Sequence, residues 1–151
     1  MGVREALAAV GHVLPEPAAP VGAYLPAVRS GALVFTSGQI PVREGALLAS
    51  GVVGADLTDD EARACAIQCT LNALVAASTV CSLDDVVRVV KVVGFVASAP
   101  GFVAQPRVID AASETLVAAF GDAGRHAREA VGVAGLPLGA PVEVSLILEV
   151  R

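Results

Sequence analysis

The steadiest pattern in the chain lies near its end, where Val142, Val144, Leu146, Leu148 and Val150 are spaced by Glu143, Ser145 and Glu149. A period of two puts the apolar set on one side of an extended segment and predicts a half-buried strand over Val142–Val150. Val86–Val96 is dense in β-branched residues, broken only by Arg88 and Lys91, and reads as a second long strand. A helical period takes over at Ala62, Cys65, Ala66, Cys69, Ala73 and Ala76. Thr58-Asp59-Asp60-Glu61 stands ahead of it as a capping box, with acids at the positive end of the helix dipole, and the helix should run to about Ser78. A further helix is predicted over Gln105–Phe120, with Pro106 in its first turn, where the missing amide does no harm, and Gly121 and Gly124 closing it.

Shorter segments complete the reading. Tyr24–Val28 and Ala32–Thr36 read as strands around an Arg29-Ser30-Gly31 turn, Ala46–Ala49 as a strand after a turn at Gly45, and Glu129–Ala134 as another strand. Val3–Val13 carries a loose helical pattern ended by Pro15, Pro17 and Pro20, so residues 1–20 are expected to form a helix and an extended Pro/Ala run ahead of one domain over 21–151. Grouped strands divided by two long helices predict an α+β fold, a mixed sheet with both helices on one face. The other face then needs a cover, and a second subunit is the candidate.

Composition sharpens that expectation. Hydrophobic residues make up 55% of the 151 and charged residues 17%. The longest stretch without charge, Ala64–Leu83, holds Gln68, Asn72 and several hydroxyls, too polar for a membrane span. An apolar chain with no span points to association between copies. The excess is Ala and Val, with 3% aromatics and no Trp, so each buried side chain stabilises little and a shared interface would add to a thin core.

A net charge of −5 with ten scattered Lys and Arg argues against nucleic acid as a partner. The three cysteines are an odd number, and the first residues lack an apolar signal core, which leads to the expectation of a reduced, cytoplasmic setting. Cys65 and Cys69, four apart on one helical face, read as core fillers. His12 and His126 stand far apart with no Glu-x-x-His context, so no metal site is expected.

Two stretches carry a resemblance. The first is Phe35-Thr36-Ser37-Gly38-Gln39-Ile40-Pro41-Val42. The second runs Ala127-Arg128, Val131, Val133-Ala134, Leu136-Pro137 and Val142-Glu143-Val144, with Ser82-Leu83-Asp84-Asp85-Val86-Val87, Lys91 and Phe95 between the two. In order and spacing over residues 21–151 they resemble the Rid family, the YjgF-type imine deaminases also known as endoribonuclease L-PSP. The Gly121-Asp122-Ala123-Gly124-Arg125-His126-Ala127-Arg128 run resembles a longer, divergent branch.

The resemblance implies a homotrimer with a sheet-lined centre and a cleft between each pair of neighbours. It implies hydrolysis of small 2-imino or enamine acids, 2-iminobutanoate among them, to 2-keto acids and ammonia, with no metal or organic cofactor. By position, Arg128 would grip the substrate carboxylate and Glu143 would position water. Tyr24, Ser37, Gly38 and Ala130 would line the cleft, Ala130 in place of a frequent cysteine. Asp110 or Ser113 would stand for the family's helix-borne asparagine. Glu129 beside Arg128 is a departure that would weaken the grip on an anion if its side chain turned into the cleft.

The chemistry suits those residue types. A guanidinium offers a planar carboxylate two parallel hydrogen bonds and stays charged. A carboxylate within reach of a water can act as general base, worth about 10²–10⁴-fold. Each residue also has a plainer reading: Arg128 as a surface ion-pair partner, Glu143 as an exposed strand position, Tyr24 as a core cap, Ser37 as a turn hydroxyl. Two other functions remain open, a small-carboxylate-binding trimer without turnover and an endoribonuclease.

Overall fold

The computed structural model describes residues 1–17, 19 and 22–151. The end of the extended run expected to reach Pro20, and the boundary placed there, lie outside the described residues.

One sheet organises the molecule. Its strands are β1 (Ala27–Ser30), β2 (Leu33–Thr36), β5 (Val86–Ala97), β6 (Ala127–Val133) and β7 (Val142–Val150), in the order β1-β2-β7-β5-β6. Only β5 and β6 run parallel. That pair needs a crossover, which α3 (Gln105–Phe120) supplies. A separate two-stranded ribbon joins β3 (Val42–Arg43) to β4 (Ala46–Leu47). Helices α2 (Asp59–Ala77) and α3 cover one face of the sheet, and α1 (Val3–Ala9) packs on α3. The expected α+β architecture, a mixed sheet with two long helices on one face, is what the chain adopts.

The long elements form where local chemistry placed them. Thr58 Oγ1 accepts the Glu61 amide at 3.2 Å, worth about 1 kcal/mol for a cap of this kind. Glu61 departs from the usual box, accepting the Thr58 hydroxyl at 3.2 Å. Ala62, Cys65, Ala66, Cys69, Ala73 and Ala76 are all buried, as their spacing predicted. In β7 the five apolar positions are buried and the four between them half-buried. Small residues let helix and sheet close together: a Cβ on Gly94 of β5 would fall 2.5 Å from Ile109 Cδ1 of α3.

The short elements were misjudged, each for a visible reason. β1 begins at Ala27, not Tyr24, because Pro26 has no amide to donate to a ladder. The turn before β2 is Gly31-Ala32, with Gly31 at φ 61 and Ser30 paired to Leu33. Helix α1 stops at Ala9, ahead of Gly11 at φ 83. β6 starts two residues earlier than expected, drawn into register with Lys91 of β5.

Candidate functional site

Strand β6 is an edge strand, and its parallel register with β5 fixes where each side chain goes. Arg128 pairs with Val92, which is wholly buried under the helices, so Arg128 faces α3. Its Nη1 donates to Asp110 Oδ1 at 2.8 Å and to Ser113 Oγ at 3.2 Å. Asp110 and Ser113 lie three apart on α3 and so share a helical face. Both candidates for the family's asparagine position thus hold the same guanidinium atom. Among the described residues Nε and Nη2 of Arg128 have no hydrogen-bond partner, and 24% of the side chain is exposed.

This arginine lines a cleft of about 310 Å³ with Asp110, Ser113, Val117, Arg125 and His126. Arg125 and His126 were not read as site residues; their place just ahead of Arg128, where a turn enters the edge strand, was the available signal. Burial holds the His126 imidazole below its ordinary pKa; its hydrogen bond to the Ala127 carbonyl works the other way, and the charge of Arg128 adds to the lowering. Ala130, two residues beyond Arg128 and paired with Gly94, is half-buried on the same face. Glu129 points to the opposite face, where Lys91 Nζ donates to it at 2.6 Å. The acid beside Arg128 in space is therefore Asp110 and not Glu129.

Glu143 belongs to that opposite face. It pairs with Phe95, while its neighbour Val144, buried under the helices, pairs with Gly94. Its carboxylate lies against the backbone of Gly38, where a Cβ would come within 2.6 Å of Oε2. Burial raises its pKa above the ordinary 4.5, and no hydrogen bond from the described residues reaches it.

The segment around Gly38 is shaped to lie there. Thr36 Oγ1 accepts the Leu146 amide at 2.9 Å, and Gln39 exchanges backbone hydrogen bonds with Val144 at 2.9 and 3.0 Å. Ser37 donates through its hydroxyl to the Leu25 carbonyl at 2.6 Å and through its amide to Pro26 at 2.8 Å. Its hydroxyl is thus engaged by backbone. Tyr24 lies in a bend before β1, 55% exposed and outside the Arg128 cleft, so it does not cap the core.

The candidate residues form two groups. Arg128, Asp110, Ser113 and Ala130 share the helix side of the sheet, Glu143 and Gly38 meet at its other side, and Ser37 is tied to the backbone of Leu25 and Pro26. Within the chain Arg128 and Glu143 project from opposite faces of the sheet.

The thiols are poor nucleophiles. Cys65 and Cys69 are buried, as their spacing implied, and burial pushes Cys65 up to about 11 and Cys69 well above the usual thiol value. Among the described residues no three His, Cys, Asp or Glu gather in a metal-holding arrangement, and no helix is long and apolar enough to cross a membrane.

Comparison with known proteins bears on this geometry. Residues 4–150 match the model of a family described as "YjgF/chorismate mutase-like, putative endoribonuclease". The chain is 43% identical to Protein TCP17 of Trypanosoma cruzi, over 94% of this chain and 90% of that one. It superposes on a "putative endoribonuclease" of Shewanella oneidensis with TM-score 0.94 at 34% identity, covering 99% of this chain and 100% of the other. With E. coli TdcF, a structure with bound serine, the TM-score is 0.63 at 26% identity, over 93% and 96% of the two chains.

Proposed function

The chain belongs to the YjgF/chorismate mutase-like family, and from that premise we propose that it is a homotrimer that hydrolyses small 2-imino acids to 2-keto acids and ammonia. The reaction is assigned to clefts where Arg128 of one copy meets Glu143 of the next. One observation carries this reading. Arg128 and Glu143 leave opposite faces of one sheet, each with hydrogen-bonding capacity unused, so one copy offers two halves of a site and a neighbour can join them.

The roles follow from chemistry. The free Nε and Nη2 edge of Arg128 suits a carboxylate taken in two parallel hydrogen bonds. The bound imine carbon is then fixed relative to a water held by Glu143, whose raised pKa makes it a stronger base than an exposed glutamate. Water adds to the carbon, the C=N electron pair moves to nitrogen, and the C–N bond breaks as the carbonyl forms.

A mixing experiment tests the division between copies. Arg128→Ala and Glu143→Gln homomers should each release little keto acid or ammonia from an imino acid generated by an amino-acid oxidase. Co-refolding the two at equal amounts should restore about a quarter of the wild-type rate, because one site in four then pairs an intact arginine with an intact glutamate from the next copy. A mixture as inactive as its parents would refute the shared site.

A second reading, a carboxylate-binding trimer without turnover, is favoured by the occupation of Arg128 Nη1 by Asp110. Binding of 2-ketobutyrate with no catalysed release of ammonia would select it. RNA cleavage, which the family description names, has less support from a chain of net charge −5.

A further inference from the structure

Asp110 is an acid standing where an acid is least expected, against the guanidinium assigned to bind a carboxylate. It uses only Oδ1 on Arg128; Oδ2 has no partner among the described residues, and half of the side chain is open to the cleft. A substrate carboxylate on the free edge of Arg128 would lie beside this second carboxylate, and like charges that close repel strongly unless a cation stands between them. The other cleft cations are poorly placed to be that cation. Arg125 is 75% exposed and turned toward Asp122 at 3.6 Å, and the His126 ring is engaged with the Ala127 carbonyl at 3.0 Å.

We propose that Asp110 makes this cleft selective for zwitterions, a carboxylate joined to a protonated nitrogen, against carboxylates that carry no positive group. The inference rests on Arg128 being the carboxylate binder. The Arg128–Asp110 pair is a fixed plus-and-minus couple, and a 2-iminium carboxylate lies against it with its charges reversed, carboxylate on guanidinium and N–H on Asp110 Oδ2.

The selection has a chemical use. A protonated imine is the form that water attacks most readily, so an acid beside the nitrogen holds the substrate in its reactive state. The reaction converts an iminium carboxylate and one water into a keto acid anion and an ammonium ion, balanced in atoms and charge. The keto acid left on Arg128 then faces Asp110 without its cation and is expelled. Asp110 is thus a specificity-determining residue for substrate over product.

The test compares 2-aminobutyrate, a zwitterion, with 2-ketobutyrate, a bare anion of the same length, by titration calorimetry on the intact protein. Wild type should prefer the zwitterion by about tenfold, given a half-exposed charge pair. Asp110→Asn and Asp110→Ser should erase that preference, chiefly by tightening 2-ketobutyrate. Ser113→Ala, which removes the other partner of Nη1 without changing charge, should leave it intact. Arg128→Ala should weaken both ligands. An unchanged preference in both Asp110 variants, with both ligands still weakened by Arg128→Ala, overturns the role of Asp110 and leaves the carboxylate site standing. If neither ligand binds, or Arg128→Ala has no effect, the carboxylate site fails and the inference with it.

Discussion

On the face of the sheet that meets α2 and α3, Val34, Val89, Val92, Val144 and Leu148 are wholly buried, whereas on the other face Val28, Leu33, Phe35 and Val131 keep between 37% and 50% of their surface exposed. The strands supply both faces from one alternating sequence, and the residue types hardly differ. The difference is the covering. The helix-covered face is a finished core and also carries Arg128 with its α3 partners. The open face carries Glu143, the Gly38 segment and the Lys91–Glu129 pair among apolar side chains that the described residues leave partly uncovered. A patch of that kind marks an interaction surface, and it surrounds Glu143, the residue proposed as base.

The contrast is sharpest in a pair of substitutions. Leu148→Ala, on the covered face, should lower the unfolding free energy by about 2–5 kcal/mol in urea titration, because it leaves a cavity that helix and sheet cannot close. Phe35→Asp, on the open face, should retain the helical circular dichroism but sediment at the mass of one protomer. An unchanged mass would mean that copies do not meet through this face.

A smaller effect is expected at Glu143. Its folded pKa is raised by burial, so the folded state binds the proton more tightly than the unfolded chain, and stability falls as pH rises through that value. Glu143→Gln should therefore raise the Tm at neutral pH. That gain should shrink as pH drops toward 4.5 and vanish below it, where glutamate becomes neutral in both states. A Tm gain that persists unchanged into acid would assign the effect to packing instead.

Least is expected of the Lys91–Glu129 pair, half-exposed in its glutamate. Glu129→Ala should change stability by less than about 1 kcal/mol. It should also leave carboxylate binding at Arg128 intact, since the two side chains point to opposite faces. A large loss of binding would show that the departure beside Arg128 matters after all.

The amino-acid order alone determined the parts of this protein whose physics is local. The Thr58 cap with the small residues behind it, the Pro106 start and Gly121 stop of α3, and the β-branched run of β5 each answer to side chains a few residues away. So does the alternation of β7, and all were legible for that reason. Arg128 and Glu143 could be singled out as candidates, because motif residues stand at fixed spacing. The ribbon of β3 and β4 was only half visible: Gly45 marked the turn, but Glu44 at φ 53 is an unusual choice there and hid its partner strand.

What only the tertiary structure decided is which side of the sheet each chemical group occupies. A shift of one residue in pairing sends a side chain to the opposite face. The pairings concerned, Val92 with Arg128 and Phe95 with Glu143, join positions far apart in the chain. The β6 register put Asp110 rather than Glu129 against the guanidinium, and the β7 register turned the candidate base away from it. Long-range strand pairing, and not the identity of neighbours in sequence, set these two residues on opposite faces of one sheet.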